Sequence, residues 1–214
     1  MLSRVAELPA IPPPQVGAEA ADQAPVLLAE VLANRVLGVG TVAGSLALLV
    51  AALGAFRDDR ALTAGVFAAA AVMLAASLLL KVPSARRARA ESAAPVPPYA
   101  RIPSVQRQRR IIGAHAAVAL VVYPLPWLAV YAAIAALLGG STLTAAVCAG
   151  FAGSLAGFGV GLLGIARALA HWQADTGKEL YSSVVPVSEV LKRRSRRTPV
   201  SLYARRSSDA SRAG

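Results

Sequence analysis

Residues 111–166 read IIGAHAAVALVVYPLPWLAVYAAIAALLGGSTLTAAVCAGFAGSLAGFGVGLLGIA. These 56 consecutive positions contain no Asp, Glu, Lys or Arg, and the main break is GGST at 139–142. A helix rises about 1.5 Å per residue and a bilayer's hydrocarbon core is about 30 Å thick, so about 20 apolar residues suffice for one crossing. The run is long enough for two crossings joined by a tight loop. Two more charge-free runs lie upstream, 21 residues at 36–56 and 20 residues at 61–80. The spacing of charges therefore predicts an all-α, polytopic helical membrane protein. Its four transmembrane helices, at 36–56, 61–80, 111–138 and 143–166, form two hairpins.

Composition agrees. Hydrophobic residues make up 56% of the 214, charged residues only 15%, and mean hydropathy is +0.56. A soluble bundle would need a polar stripe on each helix that meets water, and the four runs show none. The first 30 residues carry Arg4 and the run IPPP at 11–14 but no apolar stretch before Val26. The first span is thus expected to act as an uncleaved targeting signal. Abundant Arg and Ala, with only three Lys, suggest a GC-rich bacterial coding sequence.

The charges also orient the chain. RDDR at 57–60 is neutral overall and GGST is uncharged, whereas residues 81–110 hold eight basic residues against Glu91 alone. The segment from Arg167 onward holds ten basic residues against four acids. Lys and Arg resist translocation, so both termini and the middle loop are predicted to be cytoplasmic, in the cell (inner) membrane. The expected divisions are a tail at 1–35, hairpin 1 at 36–80, a basic Pro-rich loop at 81–110, hairpin 2 at 111–166 and a basic, largely disordered tail at 167–214. Within the first, Asp22 and Pro25 followed by VLLAEVL predict a short helix that lies at the interface or runs into the first span. Within the third, five prolines between 83 and 103 argue against continuous helix.

A net charge of +11 could signal nucleic acid. No aromatics interleave with the basic residues, which lie next to the spans. Arg107, Arg109, Arg110, Lys192, Arg193 and Arg194 are expected to contact anionic lipid headgroups instead, each gaining about 1 kcal/mol near the surface. The bilayer is the expected partner, and nucleic acid is not.

Glycine is a poor helix former, yet Gly150, Gly153, Gly157, Gly161 and Gly164 recur at steps of 3, 4, 4 and 3 in the last span. That spacing draws one glycine stripe along a helix. Small residues permit the close backbone approach that drives helix association in lipid. Gly40 and Gly44, continued by Ala47, Ala51 and Gly54, repeat the device in the first span. Gly159 is expected to point away. Tyr123, Trp127 and Tyr131 form an aromatic ridge at steps of four in the third span. Counting outward from residue 140 sets this ridge against the glycine stripe, and Pro124 and Pro126 are expected to kink the same span.

Catalytic patterns are lacking. The GK pair at 177–178 lacks the spacing of a phosphate loop, and GVGTVA at 38–43 follows no strand. Ser154 has no base near its depth. His115 and His171 read as interfacial, and Asp58 and Asp59 as a solvated turn. The single Cys148 excludes a disulfide framework. No catalytic residue, cofactor or metal is expected. The function that fits is a small non-enzymatic accessory subunit or assembly and scaffold factor of a bacterial membrane complex. It would dock with a membrane-protein partner or with itself through small-residue faces. A transporter component or oligomeric pore is the alternative.

Overall fold

The structure is a computed structural model that describes residues 26–98, 100–122, 124–184 and 202–206. Strand β1 (Val26–Ala29) leads into helix α1 (Glu30–Ala55), and a short turn connects it to α2 (Arg60–Glu91). Strand β2 (Ala94–Pro95) precedes α3 (Val105–Val122) and α4 (Pro124–Thr176), and β3 (Lys178–Val184) and β4 (Leu202–Arg206) follow. The chain is mostly helical. Glu30–Ala55, Arg60–Leu80 and Gly139–Thr176 are each long and apolar enough to cross a membrane, and Leu128–Leu137 is a shorter apolar helix.

The stretch expected to form one span at 111–138 is thus shared between α3 and the start of α4. Pro124 opens the second helical stretch and Pro126 lies in its first turn. Proline is tolerated there because first-turn N–H groups have no intrahelical acceptor. Within α4, Gly140 leaves helical geometry at φ 70° and ψ −160°. A side chain would be strained in that conformation, so glycine suits the break.

The all-α expectation fails at one end of the helices, where four strands form a sheet in the order β1-β3-β4-β2. β1 runs antiparallel to β3, with Val26 opposite Val184 and Ala29 opposite Tyr181. β3 runs antiparallel to β4 and β4 parallel to β2. The segment after β2 then reaches the other edge, where Arg101 bridges Val26 and its carbonyl accepts the Leu27 N–H at 3.0 Å. Strands and Pro-rich segment close a ring, which occupies backbone groups that an open edge would leave unpaired. VLLA is accordingly strand rather than helix, and the helix that runs into the first apolar stretch begins at Glu30. Leu27 and Leu28 are buried on both faces of the pleat, at 0% and 3% exposure.

Three further expectations are corrected. α2 continues through Pro83 to Glu91. A single proline costs one backbone bond in a helix already nucleated upstream, and the following SARRARAE contains no further breaker. α4 continues past Arg167 to Thr176, where Gly177, at φ 62°, donates its N–H to the Gln173 carbonyl at 2.9 Å and ends the helix. Within the tail expected to be largely disordered from 167, the described residues contain the end of α4 and two paired strands, β3 and β4.

A cluster of Ala90, Leu162, Ile165, Leu169, Trp172 and Leu180 joins helices to sheet, with Val31, Leu37, Ala93 and Ala204 packed around it. Gln108 pins the junction. Its buried carboxamide accepts the Ala29 N–H at 2.9 Å and donates to the Pro103 carbonyl at 2.8 Å. Removing both bonds leaves two partly buried backbone groups without these partners, so Gln108→Ala is expected to cost about 1–3 kcal/mol. Hydrogen exchange at the Leu27–Ala29 amides should accelerate in parallel.

Away from this junction, burial is inverted. Ser45 and Thr63 are fully buried, with Asn34 and Thr41 nearly so. Val50, Val72, Met73, Leu80 and Leu137 are 67–85% exposed. The buried hydroxyls are satisfied locally, Thr41 donating to the Leu37 carbonyl at 2.7 Å, Ser45 to the Val42 carbonyl at 2.7 Å, and Thr63 to the carbonyl of Asp59, the residue that precedes α2, at 2.9 Å.

Candidate functional site

The glycine stripe of α4 lies against α2. A methyl group added at Gly153 would run into the Phe67 carbonyl oxygen, and one at Gly157 into the Ala71 carbonyl oxygen. At Gly157 it would also lie 3.0 Å from the Ala75 nitrogen and the Leu74 Cβ. Gly150 faces Val66 at 3.6 Å, Gly161 faces Leu78, and Gly164 faces Leu79. The α2 contacts recur every four residues, as do Gly153, Gly157 and Gly161. Two ridges of the same period can interdigitate along their length.

The neighbours described along this groove are on α2, not on the aromatic ridge expected there. Tyr131 is 58% exposed, while Tyr123 and the side chain of Trp127 lie outside the described residues. Counting outward from the loop assumed that sequential helices pack most closely. The small side chains of α2 at Ala70, Ala71 and Ala75 admit a closer approach than aromatic rings.

Gly159 carries a second contact. A Cβ there would lie 2.8 Å from the Gly38 carbonyl oxygen, and one at Gly38 would lie 2.9 Å from the Gly159 carbonyl oxygen. Gly38 and Gly159 mark the crossing of α1 with α4. So α4 uses glycine on two sides, toward α2 and toward α1. Gly159 points away from the α2-facing stripe, as its spacing predicts, and serves the α1 contact instead.

Gly40 and Gly44 are a different case. A Cβ at either position, or at Gly54, meets nothing within 4 Å. The face of α1 that packs inward instead contains Asn34, Gly38, Thr41, Ser45 and Ala52. Among the described residues the Gly40–Gly44 face is open.

Charged groups collect at the sheet end. Arg107, Arg109 and Arg110 are exposed on α3, while Lys192, Arg193 and Arg194 lie outside the described residues. In the sheet, Lys178 stands opposite Arg206, and Glu179 opposite Arg205. The Tyr181 hydroxyl donates to the Glu179 carboxylate at 2.6 Å. Burial, followed by this bond, raises the phenol well above its ordinary range and keeps it neutral. His115 Nδ1 lies 2.8 Å from the Ile111 carbonyl, a contact within its own helix. Ser154 likewise donates to the Gly150 carbonyl at 2.8 Å. Among the described residues, no group of three or more His, Cys, Asp or Glu could hold a metal ion.

At the opposite end, Thr142 donates to the Asp59 carboxylate at 3.4 Å, which puts the residues after Gly140 beside the turn between α1 and α2. Gln108, and Gly38 as the partner of Gly159, are what spacing alone did not supply. The signal for Gly38 and Gly159 was the one glycine in each helix that falls off the main stripe.

Comparison of the chain with protein-family models, curated proteins and solved structures finds no match.

Proposed function

We propose that the chain is a four-span inner-membrane protein with both termini and the 81–110 loop cytoplasmic, acting as a non-enzymatic accessory subunit or assembly factor. The inverted burial carries the membrane reading. A protein in water that exposed Val50, Val72, Met73, Leu80 and Leu137 while burying Ser45 and Thr63 would forgo about 1.5–3 kcal/mol for each large side chain left in solvent. Facing hydrocarbon, the same arrangement costs nothing.

The sheet supports an even number of crossings. β1 pairs residue by residue with β3, so residues 29 and 178 share one side of any membrane between them. Three apolar helices would leave them on opposite sides, and residues 105–139 supply the fourth crossing. Gln108 at the sheet end and Thr142 beside Asp59 are the two ends of that ascent. The exposed Arg107, Arg109 and Arg110 favour the cytoplasmic side for the sheet and would meet anionic headgroups there.

The docking face we assign is the open side of α1. With the α4 stripe filled by α2, Gly40, Gly44 and Gly54 remain free for a helix of a membrane partner or a second copy. Gly40→Leu with Gly44→Leu is expected to leave the detergent melting temperature within about 2 °C of wild type, since nothing lies in the way. The same pair should abolish co-purification of a stoichiometric membrane partner in mild detergent, or of a second copy. Unchanged recovery of that partner would refute the assignment.

A further inference from the structure

A groove between the sheet-side ends of α2 and α4 is made of two adjoining cavities. One, of about 570 Å³, is walled by Leu79, Val160, Leu163 and Gly164, with Arg167 also in its lining. The other, of about 390 Å³, is lined in part by Ser84, Arg87, Trp172 and Asp175. Ala168 and His171 line both. The α4 positions, from Val160 through Gly164, Arg167 and His171 to Asp175, recur at steps of three and four and so share one helix face. Apolar character thus passes into charge along a single wall.

We propose that this groove binds one anionic phospholipid. An acyl chain would lie along Leu79, Val160 and Leu163, and the phosphodiester would sit among Arg87, Arg167 and His171. The inference rests on the membrane reading above and adds to it a defined lipid site. Depth supports it. Arg167 is the first charged residue after the 56 uncharged ones, and His171 follows four residues later, about 6 Å along the axis. That rise is about the thickness of one headgroup layer. Charge supports it as well, since two guanidiniums from different helices face the cavities against the single carboxylate of Asp175. Access is open, because Leu79 and Val160 are each 42% exposed on the side that would meet lipid. Arg107, Arg109 and Arg110 offer no such apolar wall and would attract headgroups only diffusely.

The test uses the full chain in nanodiscs of equal phosphatidylglycerol and phosphatidylcholine, with bound lipid read by native mass spectrometry. Wild type should retain one phosphatidylglycerol with about thirtyfold preference, the size two favourable cations would give. Arg87→Gln with Arg167→Gln should bring that preference to within about twofold, while Arg107→Gln with Arg109→Gln and Arg110→Gln should leave it intact. Val160→Trp, at an exposed position, should expel the lipid with both guanidiniums still present, and this decides the matter if the double variant misfolds. Millimolar inorganic phosphate should not displace the lipid. Equal retention of both lipids by wild type would overturn the site, as would a preference that survives the double variant and Val160→Trp. Displacement by phosphate alone would overturn the lipid as its source. A chain that fails to enter nanodiscs overturns the membrane reading itself, whereas one that enters without preference overturns only the site.

Discussion

Gly157→Leu is expected to destabilise the folded protein by about 3 kcal/mol, at the upper end of what overpacking costs. A Cβ at this position meets the Ala71 carbonyl oxygen and then the Ala75 nitrogen at 3.0 Å. Both are backbone atoms of a helix and cannot rotate away as a side chain could. The remainder of a leucine has to force α2 off α4 along several turns. For a chain of this length the loss corresponds to a fall of about 6–12 °C in the detergent melting temperature. Gly40→Leu introduces the same side chain on a helix of similar polarity but into open space. The contrast between the two isolates close approach from the general effect of replacing glycine. Equal melting temperatures would mean that the α2–α4 contact is not tight.

Trp172→Ala is expected to cost about 3–5 kcal/mol. The indole is 4% exposed in the cluster that joins Leu162, Ile165 and Leu169 of α4 to Leu180 of β3 and Ala90 of α2. Its removal leaves a cavity bordered by three separate elements that cannot all close on it. Because the sheet meets the helices through this cluster, the effect should be local as well as global. Hydrogen exchange should accelerate at β3, residues 178–184, more than at the Gly153–Gly161 stretch of α4. A uniform change along the chain would show that sheet and helices do not meet through Trp172.

The apolar runs could be read directly from where charges stop, because lipid-facing helices leave no alternative to sustained hydrophobicity. The long helix at 143–166 and the break near residue 140 follow from that pattern. The partner of the glycine groove did not, since spacing shows which residues share a face and says nothing of which helix covers it. Adjacency in the chain suggested Tyr123, Trp127 and Tyr131, but the alanine ladder at Ala70, Ala71 and Ala75 fits more closely. The sheet was hidden for a different reason. β1 has four residues and β2 two, and each strand is held by residues far away in the chain. VLLA also reads as the start of a helix, and KELYSS shows no clean alternation. Gln108 lies within SVQRQRR, where the surrounding arginines direct attention to charge, and its buried role depends on Ala29, 79 positions away.

The central claim is that four spans place the sheet on the cytoplasmic side and the turns at 57–59 and 140–142 on the other. It is tested most directly by cysteine accessibility in intact cells of the host. In a Cys148→Ser background, single cysteines replace Asp58, Ser141 or Ser92, and a membrane-impermeant maleimide is applied from outside. The account expects labelling of Asp58→Cys and Ser141→Cys in intact cells, with Ser92→Cys labelled only after permeabilisation. Asp58→Cys and Ser141→Cys falling on opposite sides, or Ser92→Cys reacting together with Asp58→Cys, would contradict it.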